Sequence, residues 1–120
     1  AANMWSNTAL KQSDVDVAEC YDGFSWLTLC WLEDAGFFKK GEAGPYMLEG
    51  NGRFDSGSGM PISTDGGMLG IGRLHGYTKI AAAALQLQEK AGRSQINPSP
   101  DVAFASTGGG NVGSCMLLTT

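Results

Sequence analysis

Ser63-Thr64-Asp65-Gly66-Gly67-Met68-Leu69-Gly70-Ile71-Gly72-Arg73-Leu74-His75-Gly76 runs directly into Tyr77-Thr78-Lys79-Ile80-Ala81-Ala82-Ala83-Ala84, and this junction decides the fold. The glycines belong to a Gly-rich stretch from Met60 to Gly76, and the segment after them predicts a helix from about Gly76 to Ala91. Its alanine run permits close packing against another element; Ile80, Leu85 and Leu87 supply bulk, and Gln86, Gln88, Glu89 and Lys90 a wetter side. Glycine-rich backbone feeding a helix start can present N–H groups to an anion or a polarised carbonyl. The Gly70-to-Gly76 spacing is one residue off the dinucleotide fingerprint, and no convincing strand precedes it, which argues against a Rossmann site.

Upstream, Asp14-Val15-Asp16-Val17-Ala18 alternates with period two and predicts a short strand. Gly23 to Ala35 predicts a helix stopped by Gly36. Phe24, Leu27, Trp31, Leu32 and Ala35 form one face, while Trp26, Leu29 and Cys30 fill much of the rest. A helix apolar nearly all round must be covered on more than one side. Ala1 to Lys11 fits a further helix with Met4, Trp5 and Leu10 as contacts, and Lys39 to Gly59 is dense in turn residues and predicts an extended excursion. Downstream, Val102-Ala103-Phe104-Ala105 and Cys115-Met116-Leu117-Leu118 fit two strands joined through Gly108-Gly109-Gly110. The expected order is helix, strand, helix, long loop, helix, strand, strand.

The 120 residues fit one domain, 1–120, with 42% hydrophobic and 17% charged residues. A net charge of -4 and pI near 4.7 make nucleic acid an improbable partner, because no basic cluster neutralises phosphates in series. Cys20, Cys30 and Cys115 are odd in number and widely spaced, so neither a disulfide framework nor a metal site is expected, and the setting is read as cytoplasmic. No apolar run is long enough to span a bilayer.

Three turns carry the chemistry. Tyr21-Asp22-Gly23-Phe24 lies between strand and helix; Asp65-Gly66-Gly67 precedes Arg73, His75 and Tyr77; the triple glycine lies between the last strands. Each can expose polar groups at one edge of a sheet. Structural readings stand beside the catalytic ones. Tyr21 and Tyr77 also suit half-buried aromatics with one hydrogen bond, His75 a helix start, Arg73 an ion pair with Asp65 or Asp22, Ser106 a turn, and the cysteines small buried hydrophobes.

The order of these blocks resembles the C-terminal half of thiolases, whose motifs there run NEAF, NxxGGxxxxGHPxG and CxGGG. The likeness covers about residues 12–120 and rests on Ser63 to Gly67, Gly72, Gly76 and Gly108 to Gly110. YDGFSW, GFFKKGEAG and GRLHGYTK are similar to the lipid-transfer or sterol-carrier subgroup, within which lie bacterial steroid side-chain-cleaving aldolases. The resemblance implies an α/β fold, the C-terminal half of the thiolase fold, with a mixed sheet and helices on both faces in α-β-α layers. It also implies that the chain is a fragment or subunit needing an N-terminal thiolase half, in a homodimer, with a separate OB-fold, zinc-ribbon partner.

The departures are as informative. Tyr21 stands at the Asn of NEAF, Arg73 at the His and Leu74 at the Pro of GHP, and Ser106 at the Cys of CxGGG. A guanidinium does not deprotonate and a serine hydroxyl is a poor base, so thiolysis is not expected. Aldol cleavage of a β-hydroxyacyl-CoA needs only a base, enolate-stabilising donors and an acid. The resemblance therefore implies catalytic roles for Tyr21, Tyr77, His75, Arg73 and Ser106, with Arg73 as the cation beside a tyrosine. Gly66, Gly67, Gly72, Gly108, Gly109 and Gly110 would bind substrate, and coenzyme A would enter only as part of that substrate. A non-catalytic acyl-CoA or lipid-binding scaffold and a residual acetyl-CoA acyltransferase are the alternatives.

Overall fold

The structure, a computed structural model, describes every residue except Ser56, Ser58 and Arg73. Three strands, β1 (Val17–Glu19), β2 (Val102–Gly109) and β3 (Val112–Thr119), form one mixed sheet in that order. β1 runs parallel to β2, with Val17 opposite Ala103 and Glu19 opposite Ala105. β2 pairs antiparallel with β3, placing Phe104 opposite Leu117 and Gly108 opposite Gly113. Ile62 makes a parallel bridge to Ala18, so the chain after Ser63 leaves by the same sheet edge as residues after Glu19 and Ser106.

Helices α1 (Ala2–Ser6), α2 (Ser25–Asp34), α3 (Ala43–Leu48) and α4 (Tyr77–Leu87) complete the architecture. On one face Val17, Ala103 and Ala105 pack with Ala83 of α4 and with Ile96. On the other, Ala18, Cys20 and Phe104 pack with Leu32 of α2, Ala35 and Ala43, with Trp5 and Phe37 against them. A sheet covered on both faces explains why Val102 to Ser106 is buried without a break rather than alternating. The result is the layered α/β arrangement with helices on both faces.

Several boundaries differ from the sequence-based expectation. The first helix stops at Ser6 rather than Lys11, because the Asn7 side chain donates to Asn3 O at 2.7 Å and the Leu10 amide donates to Thr8 Oγ1 at 3.1 Å. These local bonds compete with helix continuation. The strand expected at 14–18 begins only at Val17, since Asp14 and Asp16 spend their carboxylates on the backbone amides of Lys11, Asp101 and Val102. α3 lies within the expected excursion and carries Pro45 in its first turn, where a missing N–H costs nothing.

α4 ends at Leu87, four residues early. Glu89 adopts φ 57°, Lys90 N donates to Leu85 O at 2.8 Å and Glu89 N to Gln86 O at 3.1 Å, which together form a Schellman stop. Its inner face is Lys79, Ala82, Ala83 and Gln86, while Leu85 faces outward, so Gln86 does not belong to a wet side. α2 buries only Thr28 and Leu32 and leaves Phe24 and Trp26 more than two-thirds exposed, at 68% and 69%. Among the described residues no helix is long and apolar enough to cross a membrane, and no group of His, Cys, Asp and Glu could hold a metal ion. All three cysteines are free thiols.

Candidate active site

The parallel pair β1 and β2 ends at one edge, and the turns leaving that edge build two neighbouring clefts. Pairing of β1 with β2 stops at Glu19 and Ala105, after which a side chain takes over: the Tyr21 amide donates to the buried Ser106 Oγ at 2.9 Å. The Tyr21 ring folds beneath Gly23, whose Cβ, were there one, would lie 2.5 Å from the phenol oxygen. On β2 and β3, the Gly108 carbonyl accepts the indole N–H of Trp31 from α2 at 2.9 Å, which anchors the glycine hairpin. The start of α4 closes the remaining side. Gly76, at φ 92°, approaches so closely that a Cβ there would lie 2.6 Å from Thr107 Cβ. His75 is left-handed too, at φ 50°, a conformation unusual outside glycine and one recurrent at functional sites. An open cleft of about 360 Å³ is lined by Tyr21, the exposed His75, Thr107, Gly108, Gly109 and Ser114, among others.

Beyond the 21–24 turn lies a larger and more apolar cleft of about 730 Å³ between α2 and α3. Trp26, Leu29, Met47 and Ile62 line it, with Asp22 and the Gly66-Gly67 backbone at one end. Asp22 accepts the Met68 amide through both carboxylate oxygens, at 3.1 and 3.0 Å, so the 63–68 loop is fastened to the turn that carries Tyr21.

Under this loop is a polar network that the sequence did not announce. Lys79 is fully buried, with Nζ 2.7 Å from Asp65 Oδ1 and 3.3 Å from Asp22 Oδ1. Gln86 donates to Thr64 Oγ1 at 2.8 Å and to Ser94 O at 2.7 Å, and accepts the Ile96 amide at 3.1 Å. The Thr64 hydroxyl and amide both bond Glu19 Oε1, and Glu19 Oε2 is buried without a partner among the described residues. Burial, reinforced by Asp65, pushes the Glu19 carboxyl up to about 7 although the Thr64 bonds and Lys79 oppose the shift. Burial likewise raises the Cys20 thiol and keeps it out of nucleophilic chemistry. Lys79 and Gln86, seven residues apart with Ala82 and Ala83 between them, share one helix face, and that spacing was the available signal.

The residues singled out from sequence divide accordingly. Tyr21, His75, Gly108 and Gly109 meet in the smaller cleft, and Gly66 and Gly67 line the larger one. Gly110 lies on the α2 side of the hairpin, beside Leu27 and Trp31. Ser106 is buried behind the cleft with its hydroxyl committed to Tyr21. Tyr77 is 73% exposed and Gly72 is exposed, and neither lines either cleft. Arg73 lies outside the described residues. A phenol, an imidazole and hairpin backbone around one cavity can exchange protons and stabilise developing negative charge.

Residues 1–118 match the family described as thiolase C-terminal domain-like. The chain is 39% identical over 95 residues to a 17-hydroxy-3-oxo-4-pregnene-20-carboxyl-CoA lyase of Mycobacterium tuberculosis, covering 79% of this chain and 23% of that protein. It is 38% identical over 80 residues to a steroid side-chain-cleaving aldolase of Thermomonospora curvata, covering 67% and 20% respectively. Among solved structures, a chain of the Ltp2-ChsH2(DUF35) aldolase superposes with a TM-score of 0.85 at 28% identity, over 98% of this chain and 30% of that one. The chain thus spans about a quarter of the length of these relatives.

Proposed function

This chain belongs to the thiolase C-terminal domain-like family, and from that premise we propose that it forms the C-terminal half of the catalytic unit of an acyl-CoA carbon–carbon lyase. The reaction is retro-aldol cleavage of a β-hydroxyacyl-CoA, with a steroid side-chain thioester as the substrate class. The observation that carries this reading is the meeting of Tyr21 and His75 with the Gly108-Gly109 backbone around one cleft. A base removes the β-hydroxyl proton, the oxygen forms a carbonyl, and the bond between the α and β carbons breaks. Its electron pair passes into the thioester as an enolate, which backbone N–H groups stabilise and an acid reprotonates at the α carbon. The products are a ketone and a shorter acyl-CoA. No cysteine nucleophile is needed, in keeping with Ser106 at the family's cysteine position and with its hydroxyl occupied.

Coenzyme A enters as part of the substrate in this proposal. An N-terminal thiolase half, a second copy and an OB-fold, zinc-ribbon subunit complete the assembly. The complete complex incubated with a 17-hydroxysteroid side-chain CoA ester should yield the 17-ketone and propionyl-CoA; intact binding without ketone would remove the lyase reading. The exposed position of Tyr77 favours a second reading, a non-catalytic acyl-CoA or lipid-binding scaffold. Unchanged turnover in Tyr21→Phe and Tyr77→Phe would support it.

A further inference from the structure

We propose that Lys79 is a positioning residue of this site, a buried cation that holds together the three segments bearing Tyr21, the Gly66-Gly67 backbone and His75. An ammonium with no solvent exposure persists only when paired and hydrogen-bonded. Lys79 meets that condition with Asp65 Oδ1 at 2.7 Å and Asp22 Oδ1 at 3.3 Å. Each carboxylate in turn grips the 63–68 loop: Asp65 Oδ1 accepts the Gly67 amide at 2.9 Å, and Asp22 accepts the Met68 amide. Asp22 directly follows Tyr21, and Lys79 stands one helical turn beyond His75, with its amide bonded to Gly76 O at 3.0 Å. No other ion pair joins these segments among the described residues.

Among the described residues no other cation pairs with Asp22 or Asp65. Among the described residues Asp65 Oδ2 has no partner, so removing Lys79 leaves the Asp22 and Asp65 carboxylates without the ammonium they share. Like-charged carboxylates then push the 63–68 loop from the 21–24 turn. Lys79 touches no ligand surface, so its loss acts on the relative placement of reacting groups rather than on binding. The kinetic half of this inference rests on the lyase reading; the structural half does not.

The test uses the intact protein in its complex, as Lys79→Met and as Lys79→Met/Asp65→Asn, which relieves the charge conflict without restoring the link. Amide hydrogen exchange in residues 21–24 and 63–68 is compared with that of Val102–Ser106, alongside kcat, KM and Tm. In Lys79→Met, exchange of the Gly67 and Met68 amides should quicken at least about tenfold while β2 stays protected. kcat should fall about 100-fold with KM within about threefold. The double variant should regain Tm but neither the protection nor kcat, and it supplies the measurement if the single variant does not fold. Unchanged local exchange, or recovery of kcat together with Tm, would overturn the proposal. If the wild type turns over no β-hydroxyacyl-CoA, the lyase reading alone falls and the exchange data still decide the role of Lys79.

Discussion

Burial pushes the Glu19 carboxyl up to about 7 from an ordinary 4.5, so between those values the folded protein keeps a proton that the unfolded chain has released. The native state binds more protons in that window, so stability falls as pH rises through it. The loss is complete above about pH 7 and is on the order of 3 kcal/mol for a shift of this size. Glu19→Gln has no proton to lose and keeps an acceptor for Thr64. Its urea midpoint should change little between pH 5 and pH 8, and it should exceed wild type only at the upper pH. A wild-type midpoint equally flat with pH would contradict the assignment. At this scale the sequence disclosed Gly66, Gly67, Gly108 and Gly109 as cleft backbone but not the outlying positions of Gly72 and Gly110; left-handed backbone and close approach leave glycine as their mark, as at Gly76 against Thr107. It did not disclose Glu19 or Lys79. A lone charged residue beside apolar ones has the same appearance whether its head reaches solvent or a buried partner.

α4 lies close to the sheet because its inner face is small. Ala83 has no exposure and faces Val17, Ala103 and Ala105, so Ala83→Leu inserts three carbons where no space exists. Thermal unfolding should register a loss of about 1–3 kcal/mol, more if the backbone cannot shift; an unchanged Tm would mean that the helix stands off the strands. The alanine run made that intimacy legible in advance, as the triple glycine did the hairpin. Helix ends were less legible. The end of α1 depends on Asn7 and Thr8 choosing local bonds, and the end of α4 on Glu89 adopting a left-handed turn without glycine. Neither choice follows from periodicity. α3 was hidden because Gly44-Pro45 carries the composition of a turn while sitting inside a helical first turn.

At the scale of the whole molecule, the apolar circumference of α2 foretold surface that this chain does not cover. Trp26 of α2 and Phe24 just before it are 69% and 68% exposed, and Leu48 at the end of α3 adds to that surface at 89%. Residues 1–120 produced alone should therefore self-associate, and gel filtration should show species larger than a monomer; a well-behaved monomer would contradict this. The turns at the end of the parallel strand pair bring Tyr21, His75 and Gly108-Gly109 together around one cleft. Tyr21 is the residue on which the lyase account depends most. The direct test is turnover of a 17-hydroxysteroid side-chain CoA ester by the complete complex carrying Tyr21→Phe, with ketone release measured under single-turnover conditions. The account expects a rate at least about 100-fold below wild type with binding and Tm preserved; ketone release at the wild-type rate would contradict it.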